Sequence, residues 1–138
     1  MYLTLYYINK KINYEVNLHM ADLKIITHAI YETPDGREFD DVQEAQDWAQ
    51  ALEDIKGITM LDSKFMPTTD VTEAFYVHIK NHAQLRAYEA MSDYNGLYAR
   101  ITDLGCWYYD EDTDAFVNLE AEINRLKDIQ YKLYTMEE

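Results

Sequence analysis

Bases are scarce in this chain. Twelve Lys and Arg stand against 26 Asp and Glu, for a formal net charge of −14. Anionic lipid and nucleic acid attract basic patches, so neither is an expected direct partner. Cysteine is nearly absent: Cys106 stands alone, so no internal disulfide can form, and a reducing compartment is the default. The four glycines form no G-x-G-x-x-G or other phosphate-cradling loop, and no G-x-S-x-G nucleophile elbow occurs. No apolar run approaches the roughly 20 residues that span a bilayer. The opening MYLTLYYINKK puts its lysines after a short apolar run, the reverse of a secretory signal peptide. A cytoplasmic, soluble protein is expected.

What is present suits a folded core. Hydrophobic residues make up 48% of the 138 and aromatics 14%, with thirteen tyrosines; disordered chains are poor in such residues. One domain over residues 1–138 is expected at this length, burying roughly two-thirds of its unfolded surface.

The acids are concentrated. Residues 31–55 carry a net −8 and residues 103–138 a net −7, whereas 1–30 carry +1 and 56–102 are neutral. Such concentration points to a surface that meets something strongly positive, either a protein that holds nucleic acid or a cation.

Periodicity and turn chemistry predict an α+β fold, a mainly antiparallel sheet with three amphipathic helices packed on it, in the order βββαβ(β)βαββα. Tyr2–Ile8 and Ile12–Leu18 read as strands around an Asn9-Lys10-Lys11 turn, and Lys24–Tyr31 as a third strand ending at Thr33-Pro34-Asp35-Gly36. Asp41 followed by Glu44 is a capping-box pattern for a helix whose core face is Val42, Ala45, Trp48, Ala49, Leu52 and Ile55, with Gly57 as its stop. Ile58–Leu61 and Ala74–Ile79 read as strands around a loop at Asp62–Asp70. Asn81 and Gln84 cap a second helix with Leu85, Tyr88 and Met91 on one face, ended by Asn95-Gly96. Leu97–Ile101 reads as strand or loop. Cys106–Tyr109 and Ala115–Val117 flank an acidic turn, and Leu119, Ile123, Leu126, Ile129 and Leu133 mark a third amphipathic helix. Tyr31, an acidic turn, Phe39 and Val42 echo Tyr109, an acidic turn, Phe116 and Leu119.

Two acidic constellations stand out. Asp40, Glu44, Asp47 and Asp54 fall within an ~80° arc opposite the apolar face of the first helix, and Arg37 is the only base in that stretch. Charged faces and acids near a helix N-terminus are also ordinary solvated surface. Those four span roughly 21 Å of helix, over which a DNA duplex carries about twelve charges. Matching a duplex therefore needs both acidic segments on one face, or a homodimer joining them.

The second constellation, Asp110, Glu111, Asp112 and Asp114, starts like an EF-hand calcium loop. It lacks the glycine at position six, where Ala115 stands, and the glutamate at position twelve, where Ala121 stands. A tight acidic hairpin turn is the expectation, with no metal or other cofactor. Tyr108 and Tyr109 beside these acids suit contact with an arginine-rich surface, as well as ordinary sheet packing. His78 and His82 straddle a strand end and a helix start rather than sharing a face, and all four histidines, His19 and His28 included, read as satisfied or exposed side chains. Cys106 between Gly105 and Trp107 reads as a small buried hydrophobe. No nucleophile has a base beside it, and an enzyme is not expected.

In composition the chain resembles phage and mobile-element DNA mimics, small acidic tyrosine-rich proteins that block restriction enzymes or CRISPR effectors. The resemblance rests on DDVQEAQDWAQALED (40–54) and YYDEDTD (108–114). It implies a non-catalytic inhibitor of a basic nucleic-acid-binding protein, with Asp40, Asp41, Glu44, Asp47, Asp54, Asp110, Glu111, Asp112 and Asp114 standing in for phosphates and Tyr108 and Tyr109 adding contact. The alternatives are a structural or adaptor module whose acidity only confers solubility, a calcium-binding regulator, and a hydrolytic enzyme.

Overall fold

The computed structural model describes the backbone of residues 9–19 and 22–137 and the side chains of residues 28–137. Among the described residues, three helices and two antiparallel sheets make it an α+β protein. Its contacts divide the chain into two units, Met1–Glu53 and Asp54–Glu138.

In the first unit, β1 (Asn9–His19) and β2 (Asp22–Glu32) form a long antiparallel hairpin, and the two-residue β3 (Glu38–Phe39) pairs with the end of β2. The expected turn at Asn9-Lys10-Lys11 is instead the start of β1, with Lys10 opposite Tyr31 and Lys11 opposite Ile30. Cross-strand pairing overrides the weak turn preference of residues that include neither Gly nor Pro. The expected strand Tyr2–Ile8 lies outside the described residues.

At the β2–β3 turn, Gly36 takes φ 86°, and its amide donates to the Thr33 carbonyl at 2.9 Å. Helix α1 (Val42–Lys56) follows at once. Asp41 Oδ1 caps it by accepting the amides of Gln43 (2.7 Å) and Glu44 (3.1 Å), which leaves two fewer orphan donors. Ala45, Trp48, Ala49 and Ile55 are buried as the spacing requires, whereas Val42, at the first helical position, is exposed. The unit boundary falls within this helix.

The second unit holds a four-stranded antiparallel sheet in sequential order: β4 (Thr59–Leu61), β5 (Tyr76–Ile79), β6 (Gly105–Asp110) and β7 (Ala115–Asn118). Val77 and Ile79 of β5 are buried while His78 between them is exposed, the period-two signature of a one-sided sheet. Helix α2 (His82–Tyr94) contributes Ala87, Tyr88 and Met91 to the core with Ile58, Met60, Val71 and Ile101.

Its cap differs in one bond from a simple capping box. Asn81 Oδ1 accepts the Gln84 amide (2.9 Å), but Gln84 Oε1 accepts from the Lys80 amide (2.8 Å), and its Nε2 donates to the Gly57 carbonyl (3.1 Å). One buried glutamine thus ties the start of α2 to the end of α1. The 62–70 loop is organised by Asp62, whose Oδ1 accepts the amides of Lys64 and Met66. Residues 97–101 form no strand.

Helix α3 (Leu119–Met136) is capped by Asn118, whose Oδ1 accepts the Ala121 amide at 2.9 Å. It lies against β6 and β7, yet none of its residues is buried. The echo between the two strand–turn–helix segments extends to their pairing: Tyr31 lies opposite Phe39, and Tyr109 opposite Phe116.

Candidate functional site

In the first unit the acids divide by role. Asp35 is structural. Its carboxylate accepts the Trp48 indole N–H at 2.9 Å and the Thr33 hydroxyl at 2.5 Å, tying the β2–β3 turn to α1. Burial alone would raise the Asp35 pKa, but these hydrogen bonds together with backbone ones outweigh it and hold the carboxyl below its ordinary value. Sequence reading did not single out this residue. The Pro34-Asp35-Gly36 turn carried a signal, but the tryptophan partner lies thirteen positions away.

Arg37 is packed between rings, its guanidinium 4.6 Å from the Phe39 centroid and 4.5 Å from that of Trp48. Such stacking fixes the one base of the segment against aromatic faces. Asp40, Asp41, Glu44 and Asp47 are exposed at the start of α1, with Gln43 Nε2 donating to Asp47 Oδ1 at 2.9 Å. Asp40 precedes the helix rather than sitting on it, and Asp54 is half-buried in the second unit.

In the second unit the acids gather at the tip of the β6–β7 hairpin, whose residues Gly105–Asn118 include no Lys or Arg. Asp110 Oδ1 accepts the Asp112 amide at 3.0 Å, an Asx turn that closes the tip. Asp114 has φ 49°, a left-handed conformation that Asp tolerates better than most residues. Its carboxylate accepts a short hydrogen bond from the Tyr109 hydroxyl. That bond, with burial and then the charges of Asp114, Glu111 and Asp110, raises the Tyr109 pKa above its ordinary value. Tyr109 therefore stays a neutral donor throughout the physiological range.

Asp110 pairs with Ala115, so the four carboxylates emerge from the short connection between two adjacent strands. In the first unit, Asp40, Asp41, Glu44 and Asp47 likewise place four acids within eight residues. Tyr108 and Tyr109 are adjacent in β6 and so project to opposite faces of the sheet.

Tyr109 meets Phe75 edge-on (5.3 Å between centroids) and Phe116 at a tilt (5.6 Å). Together with Leu97, Asp114 and the 84%-exposed Tyr98, these rings line a cleft of about 160 Å³. Aromatic walls with a carboxylate at the edge suit the aliphatic stem and cationic head of an arginine or lysine. Of its members, sequence reading named only Tyr98, Tyr109 and Asp114 among residues near acids; Phe75 and Phe116 carried no such signal.

The remaining sequence candidates are ordinary. His78 is exposed on β5 and His82 at the start of α2. Cys106 is half-buried rather than buried. Its amide donates to the Glu120 carboxylate at 3.3 Å, and burial followed by the Glu120 charge pushes the thiol pKa up, away from nucleophilic character. Among the described residues, no three His, Cys, Asp or Glu side chains are grouped to hold a metal ion, and no helix is long and apolar enough to cross a membrane. No protein-family model, curated protein or solved structure matches this chain.

Proposed function

We propose that this protein is a non-catalytic cytoplasmic inhibitor that binds the basic nucleic-acid channel of a defence protein, a CRISPR effector or restriction enzyme, by mimicking DNA. The observation that carries the reading is the β6–β7 tip, where Asp110, Glu111, Asp112 and Asp114 crowd together on a hairpin without a single base. Steering by a net −14 speeds encounter with a cationic channel at low salt, and the complex weakens as salt rises. The cleft beneath Asp114 gives one arginine or lysine of the channel a place to insert, turning non-specific attraction into register. In the first unit, Asp40, Asp41, Glu44 and Asp47 form an exposed acidic cluster of their own, and Asp54 contributes least because it is half-buried.

The test uses acids without structural bonds to spare. Glu111→Lys/Asp112→Lys at the hairpin and, separately, Glu44→Lys at α1 leave the Asp110, Asp114 and Asp41 hydrogen bonds in place. Inhibition of the target's DNA binding is expected to be lost with the hairpin pair while the melting temperature holds. An unchanged inhibition constant after both sets of reversals removes the proposal. A second reading, a protein-binding adaptor whose acidity only confers solubility, is favoured by the exposed apolar face of α3, and predicts partner binding indifferent to salt.

A further inference from the structure

Helix α3 presents a row of apolar side chains that the described residues leave open. Leu119, Ile123, Leu126, Ile129, Leu133 and Met136 are between 38% and 82% exposed. They form a strip of roughly 500 Å², as large as the largest patch on a typical monomer. The spacing is that of a coiled-coil seam. Leu119, Leu126 and Leu133 recur every seven residues as one core position, and Ile129 and Met136 fill the other core position in the last two heptads. The matching position of the first heptad is Glu122, held by Arg125 through bonds of 2.5 and 3.0 Å. The seam is therefore complete from Leu126 onward.

Charge permits a second copy to cover it. Within a chain of −14, Leu119–Met136 has three acids and three bases and is neutral, so two such helices meet without net repulsion between them. The flanks then fix the orientation. The bases Arg125 and Lys132 border one side of the seam, and Gln130 and Glu137 the other. A parallel pair sets Lys132 against Glu137 of the second copy and Arg125 against Gln130. An antiparallel pair would set Arg125 against Lys132.

We infer that α3 pairs in parallel with α3 of a second copy of this chain. Two such strips bury on the order of 1,000 Å², the lower limit for a specific interface, so the dimer is reversible and forms at micromolar concentration. It doubles the number of acidic hairpins in one particle. Its salt response is opposite to that of the proposed partner binding: screening the self-repulsion of two −14 chains strengthens the dimer. The two proposals can therefore fail independently.

Sedimentation equilibrium of the full chain over roughly 1 to 300 μM, at about 50 and about 500 mM salt, tests it. The mass should rise from 16.3 kDa towards twice that value with concentration, and more steeply at high salt. Leu126→Glu/Leu133→Glu, both exposed sites in a helix that glutamate tolerates, should remain monomeric with unchanged helix content. Lys132→Glu should weaken the parallel dimer about threefold, and Lys132→Glu/Glu137→Lys should restore it. A wild-type chain that stays at 16.3 kDa throughout overturns the inference, meaning that α3 is covered by its own chain or by a foreign partner. A dimer that survives the double leucine variant overturns it too, and strengthening by Lys132→Glu overturns the parallel arrangement.

Discussion

Replacing Tyr88 by Phe should stabilise the protein. Tyr88 is 1% exposed, and its hydroxyl finds no hydrogen-bond partner among the described residues. The ring itself is well used, meeting Phe116 edge-on at 6.1 Å within the core of the second unit. The hydroxyl is thus desolvated without compensation, a state that costs about 1–3 kcal/mol. Burial also pushes its pKa well above the ordinary tyrosine value, because an ionised phenolate would be still less tolerable there. Deleting the oxygen removes that penalty and leaves a void of about 12 Å³, which returns about 0.3 kcal/mol at ~24 cal/mol per Å³. The net expectation is a gain of about 1 kcal/mol. For a unit the size of residues 54–138 that corresponds to a rise in melting temperature of about 4–8 °C. Differential scanning calorimetry on wild type and Tyr88→Phe reads it directly, and ultraviolet titration of the variant should lack the latest-ionising tyrosine. A fall in melting temperature would refute the reasoning, since it would mean that the hydroxyl has a partner worth more than its desolvation.

Other substitutions follow from the same geometry. Asp35→Asn weakens the acceptors for Trp48 and Thr33 and should cost about 1–2 kcal/mol in a urea melt. Because the folded pKa of Asp35 is depressed, its contribution is present above about pH 4 and is lost as pH falls through the folded value. The variant should therefore show a shallower loss of stability with acid than wild type. Asn81→Ala removes the acceptor for the Gln84 amide and should lower stability by about 1 kcal/mol, read as a shift in the urea midpoint at constant slope. Gly105→Ala forces a side chain onto φ 117° with its Cβ 3.2 Å from Glu120 Oε2, and should cost at least about 1 kcal/mol by thermal melt. The raised pKa of Tyr109 means that its bond to Asp114 persists below about pH 10 and is lost as pH rises through the folded value. In the alkaline ultraviolet titration, Tyr109→Phe should remove one late-ionising group.

Legibility in the sequence followed the range of the forces involved. The caps at Asp41 and Asn81, the Gly36 and Asn95-Gly96 turns and the β6–β7 hairpin were readable because each is decided within four or five residues by local hydrogen bonding. The turn assigned to Asn9-Lys10-Lys11 was misread because strand pairing with Tyr31 and Ile30, twenty positions away, outweighs local preference. Periodicity correctly placed an amphipathic helix at α3, but the period says only that one face is apolar, not that anything in the fold covers it. The acidic tip was visible in YYDEDTD, whereas the cleft beside it is assembled from Phe75, Tyr98, Tyr109 and Phe116 on separate segments. Adjacent Tyr108 and Tyr109 read as one contact pair, but as consecutive residues of strand β6 they put their side chains on opposite faces.

The most direct test of the central claim is capture from host lysate on the immobilised protein, with salt-gradient elution, DNA as competitor and Glu111→Lys/Asp112→Lys as the matched control. The account predicts one nucleic-acid-binding enzyme that elutes at moderate salt, is displaced by DNA and is missing from the control. A partner that withstands high salt, ignores DNA and binds the control equally well would contradict it.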